Sequence, residues 1–134
     1  MIFLKINYNC LRKLLIVLES NLQFSEDLEY PDLSFKDVCD LMPEFAREDI
    51  AYSTIMAEES NLIKAHIISA ENSFYECVYF GLTYKGHQFL ENVKNNAVWE
   101  KTKSITKRVG SVSLDVISSI ASELLKGLIA SQLQ

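Results

Sequence analysis

The stretch Leu62–Leu82, LIKAHIISAENSFYECVYFGL, decides how the rest of the chain is read. Its two runs, LIKAHIIS and FYECVYFGL, are rich in the β-branched and aromatic residues that suit a pleated, half-buried surface. The AENS between them has turn chemistry at hairpin length, so a β-hairpin is expected.

Upstream, the pattern is helical. From Tyr8 to Leu22, Leu11, Leu14, Leu15, Leu18 and Leu22 recur at intervals of three and four, the period of a helix with one buried face, and Asn7 stands where an N-cap belongs. QFSEDLEYPDLS reads as a connection, since Pro31 and its acidic neighbours discourage a helix. Ser34 is placed to cap a short helix, Phe35 to Met42, which Pro43 stops. In PEFAREDIAYSTIMAEESNLI, Phe45, Ile50, Thr54, Ala57 and Leu62 keep helical spacing, and Glu48 and Asp49 suit a helix N-terminus. This third helix should end near Ser60, with Asn61 in the left-handed conformation of a C′ residue.

Downstream, Thr83 offers a hydroxyl cap to a helix whose apolar face is Phe89, Leu90 and Val93. Gly86 lies in its first turn, where a missing side chain permits close packing. A further short helix is expected around Trp99 and Ile105, stopped at Gly110, and Ser113 can cap the last one. On that helix Leu114, Ile117, Ala121, Leu124 and Leu128 are spaced 3, 4, 3 and 4, an a/d-like seam that packs on the domain or forms a homodimer. Three helices followed by a hairpin is the order of a winged helix-turn-helix, with Arg47 to Ser60 in the place of the recognition helix and Ser69 to Phe74 as the wing. The expected class is α+β: a winged helix-turn-helix domain over residues 1–95 and a C-terminal helical extension over 96–134.

The bulk numbers agree with one folding unit carrying appendages. A chain of 134 residues is large enough for a real core, and seven Phe, six Tyr and one Trp place it well away from disorder. Cys10, Cys39 and Cys77 are odd in number and widely spaced, and with only two histidines they suggest neither a disulfide framework nor a zinc site. A reducing, cytoplasmic compartment follows. The opening MIFLKINYNC is interrupted by Lys5 and Asn7 and lacks a cleavage site, so it is not read as a leader. Val112 to Leu133 carries Asp115, Glu123 and Lys126 and is not read as a membrane span. The net charge of -5 is unevenly spread: Ser25 to Pro43 sums to -5, Glu44 to Ser60 to -4, and Lys85 to Arg108 to +4.

GLTYKGHQFLENV (81–93), VWEKTK (98–103) and GSVSLDVISSIASELLK (110–126) together resemble a family of small, uncharacterised phage and prophage proteins, a domain of unknown function with a winged-helix fold. The shared pattern is L-T-aromatic-x-G-H-x-F-L, then V-W-x-K-T-K, then a G-x-V-S-L opening to the last helix. The resemblance implies a winged helix, a phage or mobile-element origin and life in a bacterial cytoplasm; it supplies no catalytic residue. Where the family is expected to favour glycine at the helix-to-strand junction, this chain has Asn61.

Candidate site chemistry is sparse. His87 is a general base or ligand by residue type, but no Ser, Cys or carboxylate is tied to it by a motif, so it reads as a histidine packed at a strand-helix junction and bonded to backbone. Gly81 and Gly86 share the spacing of a phosphate loop without its Lys-Ser/Thr pair, and Glu58 and Glu59 point apart on a helix. No enzyme, metal or cofactor is expected. DNA binding would draw on Arg47, Ser53, Lys101, Lys103, Lys107 and Arg108, yet the recognition helix is acidic and the wing SAENSFYE has no Lys or Arg. The leading expectation is an accessory protein that contacts a protein partner or itself; the alternative is a DNA-binding transcriptional regulator.

Overall fold

The computed structural model describes residues 5–110 and 112–133. Met1 to Leu4, at the head of the stretch considered for a leader, Ser111 of the G-x-V-S-L opening, and Gln134 lie outside the described residues. In chain order the elements are α1 (Tyr8–Asn21), β1 (Leu33–Ser34), α2 (Phe35–Leu41), α3 (Arg47–Glu59), β2 (Ile63–Ala70), β3 (Ser73–Leu82), α4 (Tyr84–Val93), α5 (Asn96–Val109) and α6 (Leu114–Gln132). The class is α+β. The chain divides into two compact units, Met1–His87 and Gln88–Gln134, with the boundary inside α4.

In the first unit, side chains close the helix ends as the sequence predicts. Asn7 accepts from the Cys10 N–H at 3.1 Å. Ser34 accepts from the Asp37 N–H at 3.1 Å while Asp37 accepts from the Ser34 N–H at 3.0 Å, a reciprocal capping box. That backbone N–H of Ser34 is the main reason the Asp37 carboxyl sits below the usual carboxylate range. The expected run through Phe45 starts later than predicted: α3 begins at Arg47, and the Phe45 N–H closes a turn onto the Met42 carbonyl at 3.2 Å just after Pro43. Its C-terminus follows the sequence reading. Asn61 takes φ 60°, its N–H reaches the Glu58 carbonyl, and the Leu62 N–H reaches Ala57 at 2.8 Å, the paired bonds of a Schellman cap.

The sheet is antiparallel with strand order β1-β3-β2. Nothing in the sequence pattern announces β1: the segment that reads as plain connection ends with Leu33 and Ser34 paired to Tyr79 and Val78. A two-residue strand has no periodicity of its own, and only its partner defines it. The hairpin turn is tighter than AENS suggests: Ala70 pairs with Ser73, and Glu71 and Asn72 have φ 51° and 63°, as in a type I′ turn. Register shifts leave two extra residues on β3, Tyr75 and Phe80, and both are exposed aromatics.

The core of this unit is α1 against α3 and the inner face of β3. Leu11, Leu14, Leu15 and Leu18 from α1, Ile50 and Ala57 from α3, and Cys77 and Tyr79 from β3 are all but inaccessible. Each large apolar side chain buried this way contributes about 1.5–3 kcal/mol. Burial pushes the Cys77 thiol up to about 12, and the three cysteines are free. The Tyr79 hydroxyl lies 2.6 Å from Thr54 Oγ1, which donates to the Ile50 carbonyl at 2.8 Å. Because Thr54 has one hydroxyl hydrogen and commits it to Ile50, Tyr79 is the donor in this pair.

In the second unit, Asn95 caps α5 through the Val98 N–H at 3.0 Å, Gly110 ends it at φ 98°, and Ser113 caps α6 through the Val116 N–H at 3.2 Å. α5 and α6 pack together, and the Asn92 amide donates to Ser118 Oγ at 3.0 Å, tying the end of α4 to α6. The helix expected to be short around Trp99 is 14 residues long.

Candidate functional site

The motif L-T-aromatic-x-G-H acquires a structural meaning at the start of α4. Thr83 Oγ1 donates to the Asn61 carbonyl and accepts from the Gly86 N–H at 2.9 Å, while the Thr83 N–H donates to the Leu62 carbonyl at 3.0 Å. A Cβ built on Gly86 would collide with the Leu62 carbonyl group. Only glycine lets the helix start sit against the end of α3, and the result is a clasp holding the residue that follows, His87.

The structure corrects the expectation for His87. Its side chain is half exposed, and the nearest charged partner is the Glu19 carboxylate, with Nδ1 3.8 Å from Oε2, instead of backbone. No sequence motif links the histidine to a carboxylate 68 positions earlier on the last turns of α1, which is why it reads as packed. His87 and Glu19 stand at one end of a groove of about 310 Å³. Leu18 and Leu22 come from α1 and the residue after it, Phe24, Tyr30 and Pro31 from the connection, Phe80 and Leu82 from β3, and Lys64 from β2.

The walls are mostly apolar and partly open to solvent. Phe24 is 60% exposed and Tyr30 83%, and their rings pair at 5.3 Å between centroids, a tilted arrangement within the favourable range. Leu28, 76% exposed, tips the same connection in a turn with φ 62°, closed by its N–H on the Ser25 carbonyl and by the Glu29 N–H on Ser25 Oγ. Glu26, Asp27, Glu29 and Asp32 lie between and beside these apolar residues, all exposed. The sequence does carry a signal here: Phe24, Leu28 and Tyr30 stand exposed within an otherwise acidic connection, where large apolar residues are not needed to cross a gap.

The residues expected to touch phosphates are placed less favourably. Arg47 stands at the first turn of α3 with its guanidinium 5.8 Å above the Phe35 ring, which itself packs on Phe74 at 4.8 Å. Ser53 is buried, beside the Cys10 thiol, and faces no ligand surface. On α5, at roughly 100° per residue, Lys101 and Arg108 share one side and Lys103 and Lys107 another, so the four do not form one stripe. Lys103 is held by Glu100 at 3.0 Å and lies 5.9 Å from the Trp99 ring, and Lys107 and Arg108 stand in the last turn of the helix, where cations are stabilised.

The five seam residues do lie on one face of α6. Ile117 and Ala121 are buried within the chain, while Leu114, Leu124 and Leu128 are half-buried. Among the described residues no group of three or more His, Cys, Asp or Glu side chains is placed to hold a metal ion, and no helix is long and apolar enough to cross a membrane.

Residues 5–113 match the family described as "Hypothetical protein (DUF2513)", and the chain belongs to that family. It is 26% identical over 128 residues to an uncharacterized protein of Haemophilus influenzae, a match covering 95% of this chain and 100% of the relative. No solved structure matches the chain.

Proposed function

We propose that this member of the DUF2513 family is a non-enzymatic winged-helix module that binds another protein, an accessory of phage or prophage origin working in the bacterial cytoplasm. The winged-helix reading draws on the element order of the first unit and on a sheet in which the short strand after the first helix joins the second strand of the hairpin. The cytoplasmic setting draws on three free thiols.

The observation that carries the binding reading is where the exposed apolar surface lies. Phe24, Tyr30 and Phe80 are exposed in the lining of one groove, and Leu28 is exposed on the same connection as Phe24 and Tyr30. Such clustering marks contact surfaces for proteins. The elements that a winged helix offers to DNA are unsuited to phosphate: α3 carries Glu48, Asp49, Glu58 and Glu59 against Arg47, and the hairpin from Ala65 to Leu82 has no Lys or Arg. The test is to pan a displayed random-peptide library on the immobilised full chain and measure the selected peptides by calorimetry. Saturable binders are the expected result; a library that yields none overturns the reading.

A further inference from the structure

Resting on the reading just given, we infer that the groove between the end of α1, the 22–32 connection and the Phe80–His87 segment takes a basic peptide segment of a partner protein, an Arg or Lys flanked by a large apolar residue.

Charge argues for the cation. The first unit holds fourteen acidic residues against seven basic ones. Within the lining Glu19 and Lys64 balance, and the acidic excess beside the groove comes from the 22–32 connection, which supplies Phe24, Tyr30 and Pro31 to the lining and carries exposed Glu26, Asp27, Glu29 and Asp32 with no Lys or Arg. A low-dielectric wall beside one sign of charge concentrates ligands of the opposite sign.

Aromatic geometry argues for the same guest. Phe24 and Tyr30 present a preformed ring pair, and Phe80, the extra residue of a bulge on β3, adds a third ring to the lining. A guanidinium or ammonium over such faces gains a cation–π contact, beside a Glu19 carboxylate that His87 already faces at 3.8 Å. The aliphatic surface of Leu18, Leu22 and Leu82 receives the neighbouring apolar side chain. The volume, about 310 Å³, suits one or two side chains and not a folded element. Lys64, exposed on β2, favours a guest with a carboxylate or free carbonyl on that side and sets its direction.

The experiment sequences the peptides enriched on the full chain and re-measures them on Tyr30→Ala, Phe24→Ala and Glu19→Gln, each checked for an unchanged thermal transition. Tyr30 and Phe24 are exposed enough for the fold to survive their loss. The inference expects enrichment of Arg or Lys beside Leu, Phe or Trp, at least tenfold weaker binding to Tyr30→Ala and Glu19→Gln, and unchanged binding to Lys101→Glu on α5. Peptides that are acidic or uncharged, or that bind the groove variants as well as the wild type, overturn the inference while leaving a protein-binding module standing. A library with no binders sinks both.

Discussion

At the scale of single residues, the hydrogen-bond geometry makes two sharp distinctions. The Thr54–Tyr79 pair is asymmetric because Thr54 is held by Ile50 and Tyr79 has Thr54 as its acceptor. Tyr79→Phe removes one donor and leaves Thr54 bonded, a loss of about 1 kcal/mol. Thr54→Val takes away the Tyr79 hydroxyl's oxygen acceptor and leaves it only the weak acceptor of the Cys77 sulfur, and urea denaturation should report a further loss of about 1–3 kcal/mol; equal costs would mean the donor has been assigned the wrong way round. Gly86→Ala is the second test. Alanine is the better helix former, by about 1 kcal/mol, but its methyl must displace the Leu62 carbonyl, a collision that costs roughly 1–3 kcal/mol or more. The net effect should be destabilising, and a variant more stable than wild type would contradict the clasp.

At the scale of elements, local signals worked where a side chain bonds its own helix end and failed where a distant strand or helix decides. Asn7, Ser34, Thr83 and Ser113 cap helices as read, each side-chain oxygen accepting from a backbone N–H of the first turn, and Asn95, which the sequence reading did not single out, caps α5 in the same way. β1 is invisible to such signals because Leu33 and Ser34 are a strand only by virtue of Tyr79 and Val78. The hairpin turn carries a testable flaw. Glu71 and Asn72 both occupy left-handed backbone, where the preferred pair is asparagine followed by glycine. The double substitution Glu71→Asn with Asn72→Gly should raise stability by up to about 1–2 kcal/mol, read as a higher thermal midpoint; no change would mean that the turn is already relaxed. On α6, the seam is divided by burial. Ile117→Asp places a charge where the chain is 2% exposed and should unfold the second unit's packing by about 3 kcal/mol or more, seen as a lost thermal transition in place of a clean change of mass.

At the scale of the whole molecule, the -5 net charge is a difference between unlike parts: the first unit sums to -7 and the second to +2. The sign of each part was legible from composition, and so were the acidic charge of α3 and the lack of Lys or Arg in the hairpin from Ala65 to Leu82. The groove was not, because its lining comes from positions 18–31, 64 and 80–87, which only the folded sheet and the α4 clasp bring together. His87 shows the limit in one residue, since its neighbour Glu19 lies on α1. The central claim is that this scaffold meets proteins and leaves DNA alone, and the measurement that tests it most directly is a fluorescence-anisotropy titration of the full chain against mixed-sequence duplex DNA at low and near-physiological salt. The account predicts at most weak binding at low salt that disappears at the higher one. Saturable binding that survives near-physiological salt and prefers one sequence would contradict it.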